Sequence, residues 1–349
     1  MKTYKLAIVG ATGVVGRTAL KVLEEKNLEN LAYTLFASKK SSGKKIRFME
    51  KDYIIHELKE DSFNSGFDFA IFCAGGETSK KFAPIASQKG CIVIDNSSTF
   101  RMDENIPLIV PEVNFNIPLD YKGIIANPNC STIQAVTCLK PLDDKYNIKR
   151  IVYSTYQAVS GAGKNGIYDL EIGIKNYIEN ISDKTYLKKF PLPIFNNCLP
   201  HIDVFMKNGY TKEEEKMINE TRKILQKPNL SITATTVRVP VFNSHSESIN
   251  VEFEKSFNSI EEVKKVLKDA PGIKVIDDIS ENKYPTTLDS NGTDYIYVGR
   301  IRKDYSITSG INLWVVADNV RKGAASNAVQ ILEKILQQRE LQEIRNVKV

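Results

Sequence analysis

One cysteine of the sequence lies where it could act as a nucleophile. Cys130 belongs to ANPNCST, residues 126–132, between a proline–asparagine pair and two hydroxyl residues. If a helix starts here, its N-terminus favours the reactive thiolate, and we expect Ser131 and Thr132 to cap that helix. The alternative is an inert, buried thiol in a strand-to-helix turn. Its position favours the nucleophile. Of the other cysteines, three fit small core residues and one is unassigned: Cys73, Cys91, Cys138 and Cys198.

A thiol nucleophile needs a proton-transfer partner, and the chain contains 3 histidines. His56 fits an exposed strand position, and His201 follows a proline in a loop. His245, in NSHSES between two strands, is the strongest candidate for general acid–base catalysis. The alternative is a turn histidine hydrogen-bonded to Ser244 or Glu247.

Arg238 is the cation that most needs an explanation. It lies on the apolar, β-branched strand that precedes His245. An arginine that points inward from such a strand requires an anionic partner. A substrate carboxylate and an internal Asp or Glu both satisfy this requirement, and the sequence leaves the two open.

A glycine-rich turn near the start indicates a dinucleotide site. GATGVVG, residues 10–16, follows an apolar strand and opens a helical segment. Glycines allow the chain to approach a pyrophosphate closely, and a helix N-terminus supplies free N–H groups. The spacing is a variant of the usual fingerprint, so the alternative is a structural turn.

After the second strand, ASKKSSGK at 37–44 offers hydroxyls and ammonium groups in place of the carboxylate typical of NAD sites. This favours NADP over NAD, and a solvated basic loop is the alternative.

The sequence predicts two kinds of domain that would position these residues. In the first half, apolar strands alternate with helices, at 4–10, 31–38, 67–76, 91–98 and 123–129, which predicts a parallel doubly wound sheet. Later strands, at 150–161, 231–242, 248–254, 296–304 and 310–318, alternate as in an antiparallel sheet with one solvated or interface face. An amphipathic final helix, 327–341, should return to the nucleotide-binding sheet. The predicted class is α/β: a Rossmann-like NADP-binding domain, 1–129 with 328–349, and an α+β catalytic and dimerisation domain, 130–327, with a mixed, largely antiparallel sheet.

Composition limits the class of protein. A net charge of +6 over 349 residues, without a basic block, argues against nucleic acid as a partner. Five cysteines without CxxC spacing indicate reduced thiols. No metal-ligand cluster, apolar run of membrane-spanning length or secretory leader is visible. We therefore expect a cytoplasmic enzyme without a metal or a membrane partner.

Taken together, these pieces resemble the aspartate-β-semialdehyde dehydrogenases over nearly the whole chain. Further motifs support the resemblance: SSTFRM at 97–102, VPEVN at 110–114, YQAVSGAG at 156–163, EEEKMINETRKIL at 213–225, VRVPVFNSHSES at 237–248 and ADNVRKGAASNAVQ at 317–330. The resemblance implies reversible reduction of L-4-aspartyl phosphate by NADPH to L-aspartate 4-semialdehyde and phosphate, a step toward lysine, methionine and threonine.

The resemblance also implies roles at matching positions. Cys130 is the nucleophile, His245 the acid–base and Gln157 the group that orients the acyl intermediate. Arg238 binds the α-carboxylate, Glu213 the α-ammonium group, and Arg101, Asn129 and Lys216 the phosphate. Without the family, Glu213 and Lys216 fit an ordinary surface ion pair one helical turn apart. Cofactor contacts are expected at Gly10, Thr12, Gly13, Val14, Val15, Ser38, Lys39, Ser41, Ser160, Gly161 and Asn319.

Three other functions compete with this one. N-acetyl-γ-glutamyl-phosphate reductase shares the acyl-phosphate chemistry, but its substrate has a blocked amine and needs no acid such as Glu213. A non-catalytic NADP-binding protein would have no need of Cys130, Gln157, Arg238 and His245 together. Glyceraldehyde-3-phosphate dehydrogenase uses similar thioester chemistry in a different cysteine context. We expect a homodimer, with a homotetramer as the alternative, because the family associates in this way.

Overall fold

The computed structural model describes residues 3–183 and 185–347. The chain divides into two compact units, Met1–Asn129 with Ala324–Val349, and Cys130–Gly323. The first boundary coincides with the predicted one. The chain returns to the first unit at Ala324, slightly earlier than the predicted residue 328.

The first unit is built on one sheet of 7 strands in the order β3-β4-β2-β1-β5-β6-β7. All pairs are parallel except the β3–β4 hairpin. The strands are β1 Tyr4–Val9, β2 Leu31–Ala37, β3 Lys45–Phe48, β4 Lys51–Glu57, β5 Phe69–Phe72, β6 Ile92–Asp95 and β7 Ile124–Ala126, and the helices are α1 Val14–Lys26, α2 Gly76–Gln88 and α8 Ser326–Val347.

Burial on both faces explains why the central strands are continuous apolar runs. Every residue of β5, β6 and β7 is buried, as a parallel sheet covered by helices requires. The predicted final helix packs here: Ile331, Leu332 and Ile335 of α8 join Leu6 and Ile8 of β1 in one hydrophobic cluster. The sheet therefore holds the ends of its strands rigidly, where the glycine-rich turn and Asp95 lie.

The second unit contains a sheet of 6 strands in the order β11-β12-β13-β10-β8-β9. The strands are β8 Ile148–Gln157, β9 Ser231–Arg238, β10 His245–Phe253, β11 Ile273–Val275, β12 Ile296–Lys303 and β13 Gly310–Ala317, and the helices are α3 Cys130–Tyr146, α4 Lys164–Ile178, α5 Lys212–Leu225, α6 Ile260–Lys268 and α7 Thr287–Ser290. The three pairs around β13 and β10 are antiparallel, whereas β8–β9 and β11–β12 are parallel. The predicted mixed sheet is confirmed.

The two faces of this second sheet differ. Helix α3 packs against β8, β10, β12 and β13. Along β10, residues from His245 to Phe253 at alternate positions are buried, and the intervening Ser248, Asn250 and Glu252 are only partly buried. On the other face, Tyr156 keeps 40% of its surface exposed and packs beside Trp314. One face is thus a core and the other is open within the chain.

Within residues 3–183 and 185–347, no helix is long and apolar enough to cross a membrane. The same residues contain no cluster of three or more His, Cys, Asp or Glu side chains arranged to hold a metal ion.

Candidate active site

Cys130 is the first residue of α3. The first-turn N–H groups of a helix have no partner within it, so this position favours an anionic thiolate. The expectation that Ser131 and Thr132 cap the helix is wrong, because both already lie inside its first turn. Gly323 packs directly against the thiol residue: a Cβ added there would lie 2.8 Å from the Cβ of Cys130. A side chain larger than that of glycine at position 323 would therefore clash with the half-buried Cys130.

His245 begins β10 and is fully buried, with 0% exposure. Its Nδ1 accepts a hydrogen bond from the backbone N–H of Ala158 at 2.9 Å, and its Nε2 has no hydrogen-bond partner among the described residues. The alternative of a hydrogen bond to Glu247 is not found among the described residues, whereas the backbone of Ser244 does interact with the ring. Burial, helped by the charge of Arg238, lowers the pKa of His245 to about 3. The ring is neutral at physiological pH and carries its proton on Nε2.

Arg238 ends β9, is 6% exposed, and donates from Nη1 to the backbone oxygen of Ala158 at 2.6 Å. Burial lowers its pKa, and the negative charges of Glu213 and Cys130 oppose this. In the part of the chain that the structure describes, no Asp or Glu forms an ion pair with it. Glu213 is an internal acid that acts on Arg238 electrostatically without an ion-pair contact, and the guanidinium keeps donors for an anionic ligand.

Gly161 lies beside both catalytic candidates. A Cβ added at this position would lie 3.0 Å from Nη1 of Arg238 and 3.2 Å from Nε2 of His245. Cys130 also acts electrostatically on Arg238. The structure therefore brings Cys130, Arg238, His245 and Gly161 together within the second unit, around the proton on Nε2.

A chain of hydrogen bonds connects three further predicted residues. Gln157 accepts from the hydroxyl of Thr155 at 3.0 Å and donates from Nε2 to Oε1 of Glu213 at 3.1 Å. Lys216 contacts Oε2 of Glu213 at 3.1 Å and Oδ2 of Asp203 at 2.7 Å. Burial lowers the pKa of Lys216, but both carboxylates more than offset this, and its pKa is raised. Glu213 and Lys216 are thus a largely buried pair rather than an ordinary surface one.

Ser160 and Asn319, both expected at the cofactor, bond to each other. Nδ2 of Asn319 lies 3.0 Å from Oγ of Ser160, and its Oδ1 accepts from the backbone N–H of Ser244 at 2.9 Å. Ser244 has a φ of 74°, a strained value for a serine. Asn319 therefore holds the residue before His245 in place.

Arg101 and Asn129 belong to the first unit and are 7% and 6% exposed. Nη2 of Arg101 donates to the backbone oxygen of Asn96 at 2.9 Å. Asp95, at the end of β6, accepts from the Ser97 hydroxyl at 2.6 Å and from the Ser97 N–H at 3.2 Å. This buried carboxylate fixes the loop that carries Arg101.

The glycine-rich turn has the geometry of a dinucleotide site. Gly10 has a φ of 84°, and a Cβ there would lie 2.7 Å from the backbone oxygen of Cys73. Gly13 precedes the first residue of α1 and forms no side-chain cap, and the N–H groups of the first residues, Val14 and Val15, have no acceptor within the helix. A cleft of about 410 Å³ adjoins the turn, lined in part by Gly10, Thr12, Gly13 and Ser38. Ser38, Lys39 and Ser41 follow β2 in a short, solvent-accessible turn. These residues fit a phosphate-bearing dinucleotide.

Three residues of this arrangement escaped sequence reasoning. Asp203 lies in a loop without periodicity, so no local signal links it to Lys216. Gly323 and Asp95 act through packing and hydrogen bonds to distant or following residues. The glycine in RKGAAS and the aspartate at the end of an apolar strand were visible signals, but neither identifies its partner.

Known proteins show the same organisation. Residues 5–117 match the family described as "Semialdehyde dehydrogenase, NAD binding domain", and residues 139–322 match "Semialdehyde dehydrogenase, dimerisation domain". An aspartate-semialdehyde dehydrogenase of Aquifex aeolicus is 53% identical over 96% of this chain and 98% of its own length.

Solved structures agree with this assignment. The crystal structure of aspartate semialdehyde dehydrogenase II of Vibrio cholerae complexed with ASA is 46% identical, with a TM-score of 0.90 over 97% of this chain and 99% of that one. The enzyme of Candida albicans with NADP is 25% identical, with a TM-score of 0.76 over 96% of this chain and 99% of that one. The chain is an NAD(P)-binding oxidoreductase and belongs to the aspartate-semialdehyde dehydrogenase family.

Proposed function

We propose that the protein reduces L-4-aspartyl phosphate with NADPH to L-aspartate 4-semialdehyde and phosphate, reversibly, through a thioester on Cys130. The observation that carries the proposal is Arg238, a buried cation that forms no ion pair with a described residue, beside a neutral His245 and the N-terminal thiol of α3. An anionic substrate that reacts at the thiol accounts for all three. Family membership supports the choice of substrate.

The first step uses the thiolate of Cys130, which attacks the acyl carbon and expels phosphate. Arg101, Asn129 and Lys216 stabilise the leaving phosphate. When bound, NADPH supplies the hydride that reduces the thioester. His245 offers its Nε2 proton to the oxygen of the resulting tetrahedral adduct, which stabilises the negative charge there. Collapse of that adduct breaks the C–S bond, releases the aldehyde and returns the thiolate.

Recognition of the amino acid needs one ligand of each charge. Arg238 binds the α-carboxylate through its guanidinium fork. Glu213 binds the α-ammonium group, and Gln157, which already donates to Glu213, orients the acyl group. In the free protein Lys216 occupies the position beside Glu213. Substrate binding therefore exchanges one cation partner of Glu213 for another.

The cofactor choice follows from the turn after β2. It contains Ser38, Lys39 and Ser41 and no carboxylate for the ribose hydroxyls of NAD. We expect a higher kcat/KM with NADP than with NAD. Equal values for the two cofactors would contradict this assignment.

Five free cysteines are consistent with a cytoplasmic location.

The quaternary assignment is a homodimer, with a homotetramer as the alternative. The open face of the second sheet, with Tyr156 and Trp314, supplies an apolar surface of the kind that a second copy covers. The match of residues 139–322 to a dimerisation domain supports this choice.

The activity assay separates the candidate functions. Purified protein is mixed with aspartate semialdehyde, phosphate and NADP, and the absorbance of reduced cofactor is followed. We expect a sustained rise, over many turnovers, that requires all three components. A rise with N-acetylglutamate semialdehyde in place of aspartate semialdehyde would instead identify an N-acetyl-γ-glutamyl-phosphate reductase. Absence of any rise, with a working control enzyme, would leave only a non-catalytic NADP-binding protein.

A further inference from the structure

Glu247 is a buried carboxyl group that the proposed mechanism does not use. It lies on β10 two residues after His245, so its side chain is on the same face of the sheet, toward α3. It is 0% exposed. Among the described residues it forms no ion pair, and neither of its Oε atoms has a hydrogen-bond partner of normal geometry. A carboxylate in such surroundings is strongly unfavourable.

Among the described residues, the titratable groups that interact electrostatically with Glu247 carry no positive charge. They are the thiol of Cys138 on α3, the phenol of Tyr153 on β8 and the carboxylate of Glu213 on α5. Burial raises the pKa of Glu247 well above its ordinary value, and the nearby polar side chains of Gln134 and Ser131 only partly oppose this. A neutral carboxylic acid fits these neighbours.

Gln134 is the residue to which a neutral Glu247 can donate a hydrogen bond. It lies one turn after Cys130 on α3 and is 1% exposed. Its Nε2 makes a long hydrogen bond, 3.4 Å, to the backbone oxygen of His245, and its Oε1 has no hydrogen-bond partner in the described part of the chain. A carboxylic acid donates to an amide oxygen, whereas a carboxylate cannot. One proton on Glu247 therefore satisfies groups on both side chains.

We propose that Glu247 is a positioning residue that acts as a neutral acid and donates a hydrogen bond to Oε1 of Gln134. This bond ties the N-terminal part of α3, one turn after Cys130, to the start of β10, which carries His245. It also keeps a negative charge away from the helix terminus where the thiolate forms, because Ser131, beside Glu247, directly follows Cys130. The inference rests on the proposed roles of Cys130 and His245.

Two substitutions separate a neutral acid from a carboxylate. Glu247→Gln keeps a donor and an acceptor of the same shape, and we expect kcat and the pH profile of Cys130 alkylation by iodoacetamide to stay within about twofold of the wild type. Glu247→Met keeps the volume and loses the hydrogen bond. We expect its kcat to fall at least about tenfold, with a shifted alkylation profile and an unchanged KM for NADP. Glu252→Met, on the open face of the same strand, is the control and should change neither readout.

Infrared spectroscopy tests the protonation state directly and works even if Glu247→Met fails to fold. The wild-type spectrum minus that of Glu247→Gln at pH 7 should contain the carbonyl band of a protonated carboxyl group. A carboxylate band in its place, or a Glu247→Gln variant as impaired as Glu247→Met, would overturn the proposal. Alkylation and infrared readouts need no substrate, so they distinguish failure of this proposal from failure of the proposed reaction. Peptide mass spectrometry assigns the alkylation to Cys130 rather than to exposed Cys198.

Discussion

Burial sets the protonation state of His245, and this state has a thermodynamic consequence. The unfolded chain binds a proton near the ordinary histidine pKa of about 6.5, whereas the folded protein does not until about pH 3. Protons therefore favour the unfolded state, and stability is lost as the pH falls from about 6.5 toward 3. The same burial keeps the imidazole ring neutral, and the hydrogen bond that Nδ1 accepts from Ala158 leaves the ring proton on Nε2. A proton on Nε2 is what the proposed role toward a developing oxyanion requires.

We predict that His245→Gln weakens this pH dependence. Between pH 8 and pH 5 the free energy of unfolding of the wild type should fall by ~2 kcal/mol more than that of the variant. Urea unfolding at the two pH values measures the difference. His56→Gln, at an exposed strand position, is the control and should not reduce the decrease in this way. Parallel pH dependences for wild type and His245→Gln would show that the histidine is not buried in its neutral form.

Gly161 yields a second prediction for a single residue. In Gly161→Ala the new methyl group meets Nε2 of His245 and Nη1 of Arg238 at 3.2 and 3.0 Å, closer than ordinary van der Waals contact. We expect kcat/KM for aspartate semialdehyde to fall at least tenfold, about 1.4 kcal/mol of transition-state stabilisation. The thermal midpoint should change little, because residue 161 is exposed. Wild-type kinetics in this variant would remove Gly161 from the site.

The sequence identified Cys130, His245 and Arg238 as candidates because their residue types are rare or out of place where they occur. It left Arg238 open between a substrate and an internal acid, since no pattern reveals which carboxylates surround a side chain. Only the three-dimensional structure shows that no carboxylate of the described residues forms an ion pair with Arg238. Asp203 and Gly323 could not be predicted for the same reason, because their partners are far away along the chain.

At the scale of elements, the end of β6 positions a candidate for phosphate binding, Arg101, through one buried carboxylate. Asp95 accepts hydrogen bonds from Ser79 at 2.7 Å and from Ser97 at 2.6 Å. Ser97 in turn accepts from the N–H of Thr99 at 3.2 Å. The strand thereby orders the loop that leads to Arg101.

We predict that Asp95→Asn weakens phosphate binding. An amide accepts fewer of these hydrogen bonds, so the loop loses order and Arg101 loses its position. The KM for phosphate, measured in the oxidation of aspartate semialdehyde, should rise about fivefold, whereas the KM for the aldehyde should change less. Asp103→Asn, an exposed aspartate in the same loop, is the control. An unchanged KM for phosphate in Asp95→Asn would dissociate the loop from phosphate binding.

Helices and strands with a regular pattern of apolar residues or a clear capping signal were predictable, and those without such a pattern were not. The β–α alternation of the first half and helix α5, with its capping box at Thr211, follow from local signals. The hairpin of β3 and β4 escaped prediction because its strands are short, charged and partly exposed at the sheet edge. Helix α4 escaped because its glycines, Gly166 and Gly173, are unfavourable in a helix; both are retained because larger side chains would clash there.

At the scale of the whole molecule, the open face of the second sheet predicts self-association. Tyr156→Asp places a charge on this face without disturbing the core behind it, so we expect the dimer to dissociate. Light scattering coupled to size exclusion measures the mass. Ile54→Asp, an exposed position in the first unit, is the control. A Tyr156→Asp variant that keeps the wild-type mass would direct attention to another surface.

Rapid mixing tests whether a covalent thioester forms on Cys130. The protein is mixed with aspartate semialdehyde and NADP without phosphate, and reduced cofactor and protein mass are followed together. We predict a burst of one reduced cofactor per active site and an aspartyl group on the peptide that contains Cys130, which added phosphate removes. Turnover by Cys130→Ala, or a burst that leaves Cys130 unmodified, would contradict it.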